Sequence, residues 1–246
     1  MKRKITLIVT LLLVLTMFAA CEKDYIPDPA VEQYLNSGLS AQKAFDAIAS
    51  VSYKTVTTVL DKSDKELGKQ VSEVHFDVSD KKAVTLTMTN VFSGSLVAEK
   101  VTEQKVTLER SGDKYVYKTV TNIESKNSEK EVDEQFALDL VTALVFMDNG
   151  AYNSSGLYYG DVFMLKIYRF PAKSFYVDEQ ADLCVFNEKM LILNDGEMGD
   201  VKLYQTTKIN RLGLLVSSYE KYESVEQDYV MISDVTASYN YVETTE

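Results

Sequence analysis

The one histidine of the chain, His75, lies between two carboxylates at a spacing that could do chemistry. If this segment is a β-strand, Glu73, His75 and Asp77 project from one face of it, because side chains two residues apart share a face. Such a group could bind a metal ion or act in acid–base catalysis. We favour a solvated sheet face instead, since Val74 and Phe76 make the opposite face apolar.

The sequence contains none of the motifs that carry common enzyme or metal-binding chemistry. It has no HExxH, no CxxC, no Gly-rich phosphate loop and no GxSxG motif. A Ser-His-Asp triad would have to recruit His75 without any supporting serine motif. We therefore predict a protein that is not an enzyme and holds neither a metal ion nor a cofactor.

The start of the chain has the pattern of an export signal. Cationic residues at positions 2–4 precede an apolar run of 16 residues, Ile5 to Ala20, which is followed by Cys21 and then by polar residues. As a helix this run is about 24 Å long, shorter than the roughly 30 Å hydrocarbon core of a membrane. Residues 1–20 are therefore predicted to be a removed signal peptide rather than a membrane helix.

The last four residues of this segment, Phe18-Ala19-Ala20-Cys21, resemble the lipobox of bacterial lipoproteins. In those proteins the cysteine sulfur receives a diacylglyceryl group, and the cysteine becomes the new N-terminus. The resemblance implies a lipid anchor on Cys21 and a location on the extracytoplasmic side of a bacterial membrane; which membrane stays open. Two or more acyl chains give lasting attachment. The alternative is an ordinary secretory signal with a chance cysteine.

The charge of the chain excludes some partners. It has 26 Lys and Arg residues against 37 Asp and Glu residues, and without the signal peptide the ratio is 23 to 37, a net charge near −14. An acidic protein of this kind is not expected to bind nucleic acid or anionic lipid headgroups through charge.

Most of the chain after residue 50 alternates apolar and polar residues, which is typical of β-strands. Short segments rich in Gly, Ser, Asp and Asn suit hairpin turns, so we expect an antiparallel meander of about eleven strands. Cys184, between Leu183 and Val185, is predicted to be buried in a strand. The strand patterns cover residues 51–60, 69–78, 83–92, 96–109, 114–123, 161–170, 174–177, 183–186, 190–193, 201–209, 214–222 and 229–242.

Two segments have helical patterns. Ser40 can cap a short helix from Ala41 to about Ser50. The polar segment 21–40 before it, which contains two prolines, is predicted to be a lipidated tether. Residues 41–246 are then one folded domain.

The longer helix is predicted from Ser128 to about Met147. Ser128 and Glu131 fit a capping box, in which each side chain satisfies a backbone N–H of the first turn. Its apolar residues repeat at i, i+4 spacing and give it a wide apolar face. We expect this face to cover the sheet.

A lipobox, a short N-terminal helix, about eleven antiparallel strands and an apolar mid-chain helix together resemble the LolA/LolB-like superfamily, over about Ala41 to Val242. That superfamily includes bacterial lipoprotein carriers and receptors and the mycobacterial lipid-binding lipoproteins. Its fold is a strongly curved, incomplete β-barrel whose concave apolar face is lidded by helices. The resemblance implies a mainly-β fold of this kind. The soluble carrier locks its lid with an arginine, but Arg110, Arg169 and Arg211 lie on no predicted helix, so no lock is implied here.

The resemblance implies a membrane-anchored extracytoplasmic lipoprotein that binds a lipid, an acyl chain or another apolar ligand in a half-barrel cavity. The alternative is an envelope lipoprotein whose helix fills the barrel and which binds an envelope protein through loops such as 151–160. A large apolar cavity would distinguish the two. The cavity-facing residues would be Val74, Phe76, Val84, Leu86, Met88, Phe136, Leu140 and Leu144.

Overall fold

The structure, a computed structural model, describes residues 25–37, 40–81, 83–95, 101–146, 159–192, 200–225 and 228–242; for residues 141–146 and 159 it describes the backbone only. These ranges contain the helices α1 (Pro29–Leu35), α2 (Ala41–Ala47), α3 (Glu134–Phe146) and α4 (Tyr159–Lys166). They also contain the strands β1 (Ile48–Asp61), β2 (Glu66–Asp77), β3 (Thr85–Gly94), β4 (Glu103–Ser111), β5 (Lys114–Thr121), β6 (Ser128–Val132), β7 (Phe175–Asp178), β8 (Leu183–Ile192), β9 (Val201–Ile209), β10 (Leu215–Ser224) and β11 (Tyr229–Tyr241).

These eleven strands form one open antiparallel sheet in the order β6-β5-β4-β3-β2-β1-β11-β10-β9-β8-β7. Two meanders, β1 to β6 and β7 to β11, meet where the long strands β1 and β11 pair. The short strands β6 and β7 form the two edges, and they do not pair with each other. The predicted mainly-β fold, with about eleven antiparallel strands in a sheet that does not close, is confirmed.

Helices pack on one face of the sheet, which we call the covered face; the opposite side is the outer face. Near β1 to β5, Ala44 of α2 and Ala137 of α3 join a buried cluster with Val51, Phe76 and Leu108. Near β7 to β9, α1 and α4 pack on a second cluster that contains Phe175, Phe186 and Ile209. Within the described ranges, each helix is too short or too polar to span a bilayer.

The N-terminal helix α1 lies inside the segment that the sequence assigned to a tether. Asp28 caps it, and Val31, Tyr34 and Leu35 are buried against α4 and the sheet. The Tyr34 hydroxyl donates to the Asp182 carbonyl oxygen at 2.7 Å. The sequence did not predict this helix because most residues of the segment are polar, although these three apolar residues share one side of the helix. The folded domain therefore begins before residue 41, and a tether could include only residues before α1.

The start of the mid-chain helix was predicted wrongly. Residues 128–132 form the edge strand β6, which pairs with β5. The true cap is Asp133, whose Oδ1 accepts a hydrogen bond from the Phe136 N–H at 2.8 Å. Ion pairs across the two strands, Lys114–Glu131 and Lys118–Glu129, accompany the pairing. The strand therefore replaces the predicted capping box.

Other boundaries also differ from the sequence predictions. Residues 161–170 were predicted as a strand, but α4 occupies most of them, with Phe163 and Ile167 facing the core. The short helix α2 is capped by Ser40 as predicted but ends at Ala47, because Ile48 is extended and starts β1. The two predicted strands 183–186 and 190–193 are a single strand, β8. In the predicted strand 96–109, residues 96–100 lie outside the described residues, and β4 begins at Glu103.

Candidate functional site

Most of the residues predicted to line a cavity lie together in the packed core. Val74, Phe76, Val84 and Leu86 are at most 3% exposed. The Tyr53 and Phe76 rings meet edge to face, with centroids 6.3 Å apart. Helix residues fill the space above them, so this part of the covered face is a core rather than an open cavity wall.

The other four predicted cavity residues are Met88 of β3 and three residues of α3, and they are less buried or lie outside the described residues. Met88 and Leu140 are partly buried against the same cluster. Phe136 is 42% exposed, with the Lys130 ammonium 5.0 Å from its ring centroid. The same ammonium lies 5.2 Å from the centroid of the Tyr117 ring, which packs against the cluster, so Phe136 lies at the margin of the core rather than in it. The side chain of Leu144 lies outside the described residues.

The outer face carries the histidine. The His75 Nδ1 lies 2.9 Å from the Ser52 Oγ, and Glu73 forms an ion pair with Lys54. Asp77 accepts hydrogen bonds from Ser79 at 3.0 and 2.6 Å, which lower the pKa of its carboxyl group. Each polar residue therefore has its own partner on the solvated face. Among the described residues, no three His, Cys, Asp or Glu side chains are placed to hold a metal ion.

A polar groove of about 590 Å³ also lies on the outer face. Its lining includes Ser52, Lys54, Glu73, His75 and Thr87. These side chains project from the face opposite the buried cluster, so this groove is not the cavity that the sequence predicted on the covered face.

Polar side chains cross the middle of the covered face, and the sequence analysis missed them. They occupy two neighbouring rows of cross-strand partners, which must project from the same face because directly paired residues do so. We call these two rows the polar band. The first row is Glu188, Gln205, Glu220, Ser233, Thr57 and Gln70; the second is Thr207, Ser218, Thr55, Ser72, Asn90 and Gln104, with Val235 between Ser218 and Thr55.

Hydrogen bonds connect several members of the polar band. The Gln205 Nε2 and the Tyr222 hydroxyl each donate to Glu220, at 2.6 Å to separate carboxylate oxygens. The Thr207 and Ser218 hydroxyls lie 3.2 Å apart. Thr55 is only 4% exposed, and its Oγ1 has no hydrogen-bond partner among the described residues. A buried hydroxyl without a partner costs free energy, about 1–3 kcal/mol.

An amine from the helix layer reaches the polar band. Lys166, in the last turn of α4, places its Nζ 3.4 Å from the Gln205 Oε1 and 4.3 Å from the centroid of the Phe186 ring. Burial lowers the pKa of this ammonium to about 8, although the carboxylates of Glu220 and Glu188 act in the opposite direction. The half-buried Glu188 accepts a hydrogen bond from the Ser174 hydroxyl at 2.7 Å.

An apolar patch lies on the covered face beside the first row of the polar band. Its buried members are Val201, Leu203 and Tyr222, and the half-buried Met190, Ile192 and Met231 pack against them. All six belong to strands β8 to β11, and we call them the strand patch. Its two methionines are flexible and can adapt to different apolar shapes.

A cavity of about 520 Å³ lies mainly on the outer face of β8 to β10, near the edge of the sheet. Ser174, Glu188 and Gln205 line it, together with outer-face residues such as Tyr204 and Tyr219. Strand β7 pairs only with residues 183–186 of β8, so residues 187–192 extend beyond it at the edge of the sheet.

Arg211 contributes to the structure in a way that the sequence did not predict. Its Nε lies 2.7 Å from an Asp182 carboxylate oxygen, and its guanidinium group stands 4.8 Å from the centroid of the Tyr34 ring. Together with the Tyr34 hydrogen bond, these contacts hold α1 at the end of the sheet.

Of the two cysteines, the structure describes only Cys184. Cys184 is fully buried among the residues under α1 and α4, which confirms the predicted buried thiol, and burial raises the pKa of this thiol to about 12. Cys21, the predicted lipidation site, lies outside the described residues.

Solved structures offer a comparison for this sheet and its helices. Three of them are similar to the chain over most of its length. A DUF1329 family protein from Desulfovibrio piger is 9% identical, with 87% of this chain and 94% of that chain covered and a TM-score of 0.26. A beta-barrel-like protein of the domain of unknown function DUF1849, from Brucella abortus, is 11% identical, with coverage of 79% and 98% and a TM-score of 0.29.

The third structure is a domain assigned as an outer membrane lipoprotein-sorting protein from Vibrio parahaemolyticus. It is 8% identical to this chain, with coverage of 88% and 93% and a TM-score of 0.25. No protein-family model and no curated protein matches the sequence. Such low identities and TM-scores bring no function to this chain.

Proposed function

We propose that this protein is an extracytoplasmic lipoprotein, anchored through Cys21, that binds an amphipathic ligand with an acyl chain on the covered face of its sheet. One observation carries the proposal: the covered face places a band of polar side chains directly beside the strand patch. A uniformly apolar ligand would leave the band without partners, whereas a ligand with an apolar chain and a polar end matches both surfaces.

The Thr55 hydroxyl, which has no hydrogen-bond partner in the described part of the chain, supports this interpretation. Buried polar atoms in folded proteins nearly always have a hydrogen-bond partner. Thr55 lies in the second row of the band, and its hydroxyl can donate one hydrogen bond and accept others. A polar ligand group on the covered face would supply a partner.

A second candidate function has its own support. Because Val74, Phe76, Val84 and Leu86 are buried beneath helices, the region around them favours the envelope interaction lipoprotein with a filled core. In that case the protein would bind a protein partner and no small ligand. The strand patch and polar band are the part of the covered face that distinguishes the two candidates.

Lipid extraction followed by mass spectrometry tests the proposal on the full chain purified from its membrane. The acyl groups on Cys21 are covalent and stay with the protein, whereas a bound ligand enters the organic phase. A matched pair of variants locates the site: Met190→Arg places a charge in the strand patch, and Leu191→Arg places it on the outer face, where Leu191 is 57% exposed.

We expect about one extracted ligand per chain from the wild type and from Leu191→Arg, and at least a fivefold loss from Met190→Arg. Equal amounts from both variants would place any bound lipid outside the strand patch. An extract without a stoichiometric ligand from the wild type would favour the filled-core candidate.

A further inference from the structure

The Lys166 ammonium has hydrogen-bonding capacity that the described residues leave unused. An ammonium group carries three N–H donors. Among the described residues, its one hydrogen bond is the 3.4 Å contact with the Gln205 Oε1, which is long for a charged donor. The Phe186 ring lies on another side of it. A ligand atom that accepts hydrogen bonds would therefore find donors available at the start of the strand patch.

The carboxylates near Lys166 determine which ligand group can accept its hydrogen bond. Two carboxylates, Glu188 and Glu220, act electrostatically on this one ammonium. Glu220 is only 7% exposed, and both of its oxygens accept hydrogen bonds from neutral groups. A further negative charge on the ligand would meet two carboxylates and one cation. A neutral acceptor, such as an ester carbonyl, avoids this repulsion.

The register of β9 connects this donor to an apolar surface. Gln205 and Leu203 project from the same face two residues apart, a separation of about 7 Å along the strand. Leu203 belongs to the strand patch, and Met190 and Tyr222 are its direct cross-strand neighbours. Leu203 and Tyr222 are already buried, so a chain that begins with a carbonyl near Lys166 would continue onto the half-buried Met190 beside them.

We propose that the Lys166 ammonium donates a hydrogen bond to the carbonyl oxygen of an ester-linked acyl chain, and that the chain lies on the strand patch. This inference rests on the proposed function, because it names the polar group by which the same ligand is recognised. Lys166 selects the ligand by hydrogen bonding, and no bond is made or broken.

Photocrosslinking with three probes of equal chain length tests this inference. Each probe carries a diazirine and an alkyne on a 16-carbon chain; the first is a methyl ester, the second the free acid and the third a methyl ether without a carbonyl. The full chain, held in nanodiscs of a saturated phospholipid, is labelled with each probe and digested. The labelled peptides are then quantified by mass spectrometry.

We expect the ester to label peptides from β8 to β10 at least fivefold more than the ether, and more than the acid at pH 7. Lys166→Met should remove the preference for the ester, while Lys166→Gln, which keeps an N–H donor, should restore part of it. Lys189→Met is the matched control, because Lys189 lies on the outer face of β8 against the Tyr204 ring. Thermal unfolding of each variant verifies that it is folded.

Failure of the inference and failure of the proposed function give different results. If ester and ether label the wild type equally, or if Lys166→Met keeps the ester preference, the chain binds acyl ligands but Lys166 does not recognise the carbonyl. Stronger labelling by the acid would refute the neutral acceptor. If no probe labels β8 to β10 in the wild type, the proposed function itself is wrong.

Discussion

Replacement of Lys166 with methionine should remove a pH-dependent contribution to stability. Burial lowers the pKa of this ammonium to about 8 in the folded protein, with partial opposition from Glu220 and Glu188. In the unfolded chain a lysine has a pKa of about 10.4. Between these two values the unfolded chain binds a proton that the folded protein has released. The contribution of Lys166 to the free energy of unfolding therefore rises with pH over this interval.

The difference between the two pKa values sets an upper limit of about 3 kcal/mol for this contribution. Lys166 is half-buried, so water screens part of the effect, and we expect about 1–2 kcal/mol. At pH 7 the lysine is charged in both states, and the folded protein bears the whole cost of burying the ammonium. At pH 10 the folded protein holds a neutral amine, and most of that cost is gone.

Urea unfolding at pH 7 and pH 10, followed by circular dichroism, measures the effect in the full chain. The free energy of unfolding of the wild type minus that of Lys166→Met should increase by about 1–2 kcal/mol from pH 7 to pH 10. Cys184 and Tyr34 complicate the individual curves: burial raises the pKa of both groups, so their contributions fall as the unfolded thiol and phenol ionise. Both proteins contain these residues, so the difference between the curves cancels their effect. A difference that is constant or decreases with pH would refute the burial of the Lys166 ammonium.

Three further changes test other parts of the structure. Leu140→Asp should reduce the free energy of unfolding by about 2–4 kcal/mol, because it places a carboxylate against the core; an unchanged thermal midpoint would put Leu140 outside it. Cys21→Ser should move the protein from the membrane fraction to the soluble fraction, and retention of the variant in the membrane would contradict the lipid anchor. Gly94→Ala should cost several kcal/mol, since its φ is +98° and a Cβ would lie 2.5 Å from the Gly68 Cα. The control Gly112→Ala should cost only about 1 kcal/mol by chemical denaturation, because φ is +63° there and a Cβ has open space; equal losses would contradict the close approach at Gly94.

The sheet was largely predictable because alternation of apolar and polar residues directly reports a half-buried strand. Strand β9 was predicted with the same bounds that it has in the structure, Val201–Ile209. Helix α4 was missed because its apolar residues fit both the two-residue period of a strand and the period of about 3.6 residues of a helix. Val162 and Met164 alternate like a strand, while Phe163 and Ile167 lie four residues apart and are the fully buried pair. Local periodicity cannot choose between the two patterns, and tertiary packing decides.

The start of the mid-chain helix shows a similar competition. Ser128 and Glu131 have the spacing of a capping box, but the segment between them can equally extend an antiparallel sheet. Pairing with β5 supplies backbone hydrogen bonds along the whole segment, and Val132 lies opposite the buried Tyr115. A cap satisfies only a few backbone groups. Competition from a partner strand is invisible in the local sequence.

The polar band could not be predicted because it depends on register rather than composition. Thr55 and Ser72 are ordinary strand residues in isolation. Only the pairing of β1 with β2 places them side by side, and further pairings carry the rows across the sheet. Lys166 reached this band through α4, which the alternation pattern had assigned to a strand. The sequence therefore predicted the apolar core but missed the polar group that the ligand proposal depends on.

Single-tryptophan fluorescence shows whether an acyl chain lies on the covered face. The chain contains no tryptophan, so each variant would carry one reporter. Met190→Trp places the indole in the strand patch, and Leu191→Trp places it on the outer face one residue away. The full chain in nanodiscs is titrated with an acyl methyl ester brominated along its chain, since bromine quenches tryptophan at short range. If the acyl chain lies on the strand patch, we expect strong, saturable quenching at position 190 and little at position 191. Equal quenching at both positions, or quenching at 191 alone, would contradict this location.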